Sequence, residues 1–215
     1  MKAVAIISQK GGVGKTTIAA HLAVAAERAD FTTALFDTDP QASAMKWAYL
    51  RKDVPPEAFA AQPPVLREQL AKIAQAGAEL AIIDTAPNAD VAGSYAAKAA
   101  DLVLIPCKAS YLDLDAIRAS VEMAQSSGRP FFIVLNDVTV GTTVGAEAAA
   151  AIKEAELPLA PIVLHHRMDY VTPLGGGQTA LEATPEGKAA GEIVALWTWL
   201  AGQLELPKKT ETNAA

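Results

Sequence analysis

Close to the amino terminus, Gln9-Lys10-Gly11-Gly12-Val13-Gly14-Lys15-Thr16-Thr17 follows a short apolar run, Ala3-Val4-Ala5-Ile6-Ile7. Glycines free the backbone to turn its N–H groups inward around an anion, because no Cβ stands in the way. A helix beginning at the end of the loop would add the positive end of its dipole to the same point. Strand, glycine loop and helix together form the setting of a phosphate-binding P-loop. Lys15 is then expected on the β- and γ-phosphates of a nucleotide, with the Thr16 hydroxyl on Mg²⁺. Gln9 stands where the usual P-loop has its first glycine, and Lys10 directly precedes the glycine pair. A dinucleotide-binding loop is not expected, since Thr17 occupies the place of that fingerprint's third glycine.

A nucleotide hydrolase also needs carboxylates at the carboxyl ends of neighbouring strands. Leu80-Ala81-Ile82-Ile83-Asp84 is an apolar run ending in an aspartate, the Walker B arrangement, which puts Asp84 in the Mg²⁺ shell. Leu35-Phe36-Asp37-Thr38-Asp39-Pro40-Gln41 brings a second acidic segment to the end of another apolar run.

The elements that position these residues can be read from the apolar pattern. Runs at 3–7, 33–36, 80–83, 102–105, 131–135 and 160–164 are continuous rather than alternating, as strands buried on both faces require. Alanine-rich stretches at 17–28, 91–99, 113–126 and 143–154 lie between them and read as helices. This order predicts an α/β fold: a doubly wound, mainly parallel sheet of about six to eight strands flanked by helices. Residues 53–64 hold four prolines and read as an exposed connection, and 172–187 reads as a mobile loop before a last helix over about 187–204. Residues 1–206 are expected to form one domain, with 207–215 a flexible polar tail.

The 215 residues carry 18 basic and 24 acidic side chains, a net charge of −6, which excludes a strongly basic nucleic-acid binder. Cys107 is the only cysteine, so neither an internal disulfide nor a cysteine zinc motif is available. No signal segment, 18-residue apolar run or internal repeat is visible, and a cytoplasmic protein is expected.

The Lys10-Gly11-Gly12-Val13-Gly14-Lys15-Thr16-Thr17 string resembles the deviant Walker A motif of the ParA/MinD family of ATPases. Asp37-Thr38-Asp39-Pro40-Gln41 resembles that family's Asp-x-Asp-Pro-Gln segment, and Asp84-Thr85-Ala86-Pro87 its Asp-x-x-Pro switch. Asp101-Leu102-Val103-Leu104-Ile105-Pro106, with Ser110 and Asp113-Leu114, is similar to its next strand and loop. The matches run from Lys2 to about Val194.

The resemblance implies ATP and Mg²⁺ as ligands, and a homodimer formed on ATP in which Lys10 reaches the partner's phosphates. It implies that Asp39 orients the attacking water and that Asp37 lies near the Mg²⁺ shell. Asn136, ending the next strand, would contact adenine. Arg167, in Leu164-His165-His166-Arg167-Met168-Asp169-Tyr170, would sit near the nucleotide and a DNA face. Arg167 and Lys188 are the two candidates for contacting nonspecific DNA.

The Asp-Pro-Gln string and the short length resemble small ParA proteins without a helix-turn-helix domain. The implied function is plasmid or chromosome partition on the nucleoid, with hydrolysis stimulated by a ParB-like or other adaptor protein. A second reading is a ParA-like ATPase positioning a protein cargo, a chemoreceptor cluster or a microcompartment. A MinD-like membrane attachment is not expected, because the chain's end lacks a basic amphipathic face. A metal-insertion ATPase would need more ligand cysteines than Cys107.

Overall fold

The computed structural model describes residues 1–87, 90–109 and 114–209. Six strands, β1 (Lys2–Ile6), β2 (Thr33–Asp37), β3 (Glu57–Ala60), β4 (Leu80–Asp84), β5 (Leu102–Lys108) and β6 (Phe131–Asn136), form one sheet in the order β3-β2-β4-β1-β5-β6. Every pairing is parallel. The doubly wound sheet expected from the continuous apolar runs is therefore present, with six strands.

Helices cover both faces, which is why the central strands carry no polar alternation. Val4, Ile6, Leu35, Ile82 and Leu104 point to one face, packing with α1 (Lys15–Arg28), α2 (Ser43–Leu50), α7 (Ala180–Ala183) and α8 (Lys188–Gln203). Ala5, Ile7, Phe36, Ile83 and Ile105 point to the other, packing with α3 (Leu66–Gln75), α4 (Asp90–Ala99), α5 (Leu114–Ser127) and α6 (Val144–Glu154). The alanine-rich inner face of α1, from Ile18 to Ala26, is almost wholly buried and lets the helix lie close to the sheet.

Three expectations need correction. Residues 160–164 form no strand; they run beside β6 through the isolated bridges Ile133 to Leu159 and Val138 to His165. Pro158 and Pro161 lack the N–H groups a continuous ladder needs. Residues 53–64, read as a plain connection, contain β3, a four-residue edge strand with proline pairs on either side of it. Prolines are tolerated at a sheet edge, where one side of the strand is unpaired. Residues 172–187, read as a loop, hold a 3₁₀ turn at Pro173–Gly176 and the short α7, closed by a capping box between Thr179 and Glu182.

Candidate functional site

In the β-sheet register, Asp84 pairs with Ile6 on one side and Asp37 on the other. Three parallel strands thus end together, delivering the glycine loop and two aspartates to one edge, where open α/β sheets bind ligands. The loop passes into α1 through Gly14, whose φ of +92° is a left-handed conformation that side chains rarely adopt. A Cβ on Gly14 would lie 2.3 Å from Asn136 Nδ2. Asn136 uses that amide to donate to the Val13 carbonyl at 2.7 Å, so the end of β6 braces the loop.

Lys15, the first residue of α1, is only 7% exposed, and its ammonium donates to the Lys10 carbonyl at 3.4 Å. Burial pulls the Lys15 pKa down, while the Asp84 and Asp39 charges oppose that shift. A buried cation with one long hydrogen bond among the described residues is a site prepared for an anion.

The Thr16 hydroxyl donates to Asp84 Oδ2 at 2.6 Å. Asp84 is completely buried, and burial pushes its carboxyl up to about 7 against the Thr16 hydrogen bond. Its second oxygen, Oδ1, is buried with no hydrogen-bond partner among the described residues. A buried acceptor left open in this way is costly unless a ligand uses it.

Asp37 is also buried, but its oxygens are committed to backbone: Oδ1 accepts from the Asp39 N–H at 2.9 Å and Oδ2 from the Met45 N–H at 3.0 Å. It shapes the turn and the start of α2, and its charge adds to the upward shift of the Asp84 carboxyl. Asp39 is half-buried and accepts from the Gln41 N–H at 2.8 Å through Oδ1. Thr38 and Thr85 fasten this edge to the sheet, donating to the carbonyls of Asp84 and Ile6.

Beside the loop lies a cavity of about 250 Å³, lined in part by Gly12, Gly14, Thr17, Asn136, Arg167 and Tyr170. Arg167 is held there by Glu192 of α8, to whose Oε1 its Nε and Nη2 donate at 3.0 and 2.6 Å. Glu192 also accepts from the His165 N–H and the Tyr170 hydroxyl. At the cavity rim Lys108 and His166 both meet Asp137, at 2.7 and 2.5 Å. A second cavity of about 230 Å³ is lined by Lys10, Gly11, Val13, Cys107 and Ile117 among others, and burial pushes the Cys107 thiol up to about 11.

The structure thus gathers Lys10 to Thr17, Asp37, Asp39, Asp84, Asn136 and Arg167 around one edge of the sheet. Lys188 stands apart in role, an exposed first residue of α8. Ser110 and Asp113 lie outside the described residues. Glu192, Asp137 and His21 were not singled out in the sequence, because single polar residues in a helix or after a strand carry no spacing signal.

A parallel sheet whose first strand runs through a glycine loop into a buried lysine defines a P-loop nucleotide-binding domain. The chain belongs to the CobQ/CobB/MinD/ParA nucleotide binding domain family, whose model matches residues 4–172. It is 35% identical over 167 residues to maintenance of carboxysome distribution protein A of Gloeobacter kilaueensis, a match covering 73% of each chain. The protein of the same name from Halothiobacillus neapolitanus is 25% identical over 202 residues, covering 88% of this chain and 91% of that one. Among solved structures, the ATP complex of Cyanothece McdA superposes with a TM-score of 0.76 at 20% identity, covering 98% of this chain and 99% of that one.

Proposed function

We propose that the chain is a Mg²⁺-dependent ATP hydrolase that dimerises on ATP and positions a protein cargo of the microcompartment kind through a partner protein. The observation that carries the hydrolase reading is the open, buried Asp84 Oδ1 beside the Thr16 hydroxyl. Two hard oxygen donors, fixed by the sheet edge and the first turn of α1, suit Mg²⁺ and fit that ion. Mg²⁺ held there would offset the charge that builds on the β–γ bridging region during phosphoryl transfer.

The chain's own residues supply the rest. The loop amides and the N-terminus of α1 bind the phosphates, and Lys15 brings a desolvated positive charge to them. Lys10, exposed at the rim of the loop, is suited to reach the phosphates of a second protomer. Asp39 is the candidate to orient the attacking water, since Asp37 is spent on backbone amides. The adenine ring is assigned to the cavity at Asn136, with Arg167 fixed by Glu192 as part of its wall.

For the cargo, the two relatives named for carboxysome distribution support a microcompartment over plasmid or chromosome partition. Nonspecific DNA remains the proposed track, with Arg167 and Lys188 as candidate contacts; Arg167 would have to give up Glu192 to join it. No helix among the described residues is long and apolar enough to cross a membrane.

Phosphate release from Mg²⁺-ATP by the purified chain tests the enzyme, and Lys15→Ala should reduce it to background. In cells, Lys15→Ala should leave the cargo clustered instead of spaced. Normally spaced cargo, with plasmids lost instead, would return the reading to DNA partition.

A further inference from the structure

We propose that Ser120, in the middle of α5, is a positioning residue for Lys10, holding the loop backbone from which that lysine projects. The inference rests on the reading of Lys10 as the lysine that acts across the dimer.

After β1 the chain leaves the sheet with one last bond, from the Ile7 N–H to the Leu104 carbonyl at 3.0 Å. Two of the next backbone N–H groups, those of Gln9 and Lys10, are held by side chains. The Gln9 N–H donates to Ser120 Oγ at 3.0 Å, and the Lys10 N–H to Ser8 Oγ at 3.2 Å. The Lys10 carbonyl accepts from Lys15 Nζ at 3.4 Å. The backbone of Lys10 is therefore fixed on both sides of its Cα, while its side chain is exposed.

Two of these three tethers come from the loop's own neighbourhood. The third crosses 111 residues of sequence and comes from a different layer of the fold. Ser120 is 1% exposed, and its neighbours on the inner face of α5 are Ile117, Val121 and Ala124. On such a face alanine would be the better helix former and would bury no hydroxyl. A serine there needs a partner for its oxygen, and the Gln9 N–H is that partner. The bond lands on the position where the usual P-loop has a glycine and this chain has Gln9.

Lys10 must deliver its ammonium on a long flexible stem to a phosphate in another protomer. A small rotation of the Ser8–Gln9 peptide, the unit whose N–H donates to Ser120, is carried through the chain into a large displacement at Lys10 Nζ, and misplacement of about 1 Å can cost on the order of a hundredfold in rate. Fixing the peptide from α5 keeps that reach constant.

The test is a cycle of Ser120→Ala, Lys10→Ala and the double variant, read by ATP hydrolysis at protein concentrations where the wild type is dimeric. Alanine in a helix interior keeps α5 intact, and thermal unfolding of each variant checks this. Ser120→Ala alone should lower hydrolysis by about tenfold, the scale of one lost hydrogen bond. It should cause no further loss in the Lys10→Ala background. Hydrogen exchange should show the Gln9 amide protected in the wild type and about tenfold faster in Ser120→Ala.

Equal losses from Ser120→Ala in both backgrounds, or wild-type hydrolysis with a freely exchanging Gln9, would overturn the proposal. A Lys10→Ala protein that retains full hydrolysis and dimerisation would instead remove the reading of Lys10 on which it rests.

Discussion

Thr16 Oγ1 and Asp84 Oδ2 lie 2.6 Å apart across 68 residues of sequence, one at the start of α1 and the other at the end of β4. The bond orients the carboxylate so that Asp84 Oδ1, the buried oxygen left over, is available beside the phosphate loop. Asp84 is held by burial near a pKa of 7 in the ligand-free chain, so it is poised between its neutral and charged forms. A divalent cation would favour the charged form.

Asp84→Asn should therefore separate stability from activity. The variant removes a desolvated charge, so the ligand-free protein at pH 8 should melt a few degrees higher than the wild type. Phosphate release from Mg²⁺-ATP should fall by at least about a hundredfold. A less stable variant that still hydrolyses ATP would contradict the assignment of Asp84.

Gly14→Ala tests the brace between β6 and the loop. The added Cβ would meet Asn136 Nδ2 at 2.3 Å, at a φ of +92° that already disfavours alanine. Affinity for a fluorescent ATP analogue should drop at least about tenfold. Combining it with Asn136→Ala should lose less than the two single effects together, because the clash disappears with the amide.

His21 supplies a pH dependence. Its ring is fully buried, with Nδ1 on the Thr17 carbonyl at 2.8 Å and Nε2 accepting from the Ala180 N–H at 3.0 Å. The second bond requires the neutral ring, and burial drops the pKa to about 4 from an ordinary 6.5. Between those values the unfolded chain takes up a proton that the folded chain refuses. Stability should thus decline as pH falls from 6.5 towards 4, by up to about 3 kcal/mol. Thermal unfolding of His21→Gln should start lower at pH 8 but show a flatter decline over that window.

The buried Arg51 and the partly buried Glu182 form a pair that ties the end of α2 to α7. Arg51 donates to both Glu182 oxygens, at 3.0 and 2.8 Å, and to the Gly177 carbonyl at 2.8 Å. Removing Arg51 leaves the partly buried Glu182 carboxylate without its cation, so Arg51→Met should cost about 3 kcal/mol in urea unfolding. A cost below about 1 kcal/mol would mean that water replaces the guanidinium there.

The sheet was legible because its central strands are uninterrupted apolar runs, and the phosphate loop because its glycines and lysines are contiguous. Asp84 could be placed because it ends such a run. The edge strand β3 escaped because four residues, half of them exposed, leave no period to read. The run at 160–164 misled because apolar character outweighed Pro158 and Pro161 in the reading. Ser120, His21 and Glu192 act through partners 111, 159 and 22 to 27 residues away, and only the folded chain brings those partners together.

The central claim, that ATP joins two copies of this chain through Lys10, can be read by sedimentation velocity with Mg²⁺ and a slowly hydrolysed ATP analogue. The wild type should sediment as a dimer with the analogue and as a monomer with ADP. Lys10→Ala should bind the analogue and remain monomeric. A Lys10→Ala dimer, or a wild type that stays monomeric with analogue bound, would contradict it.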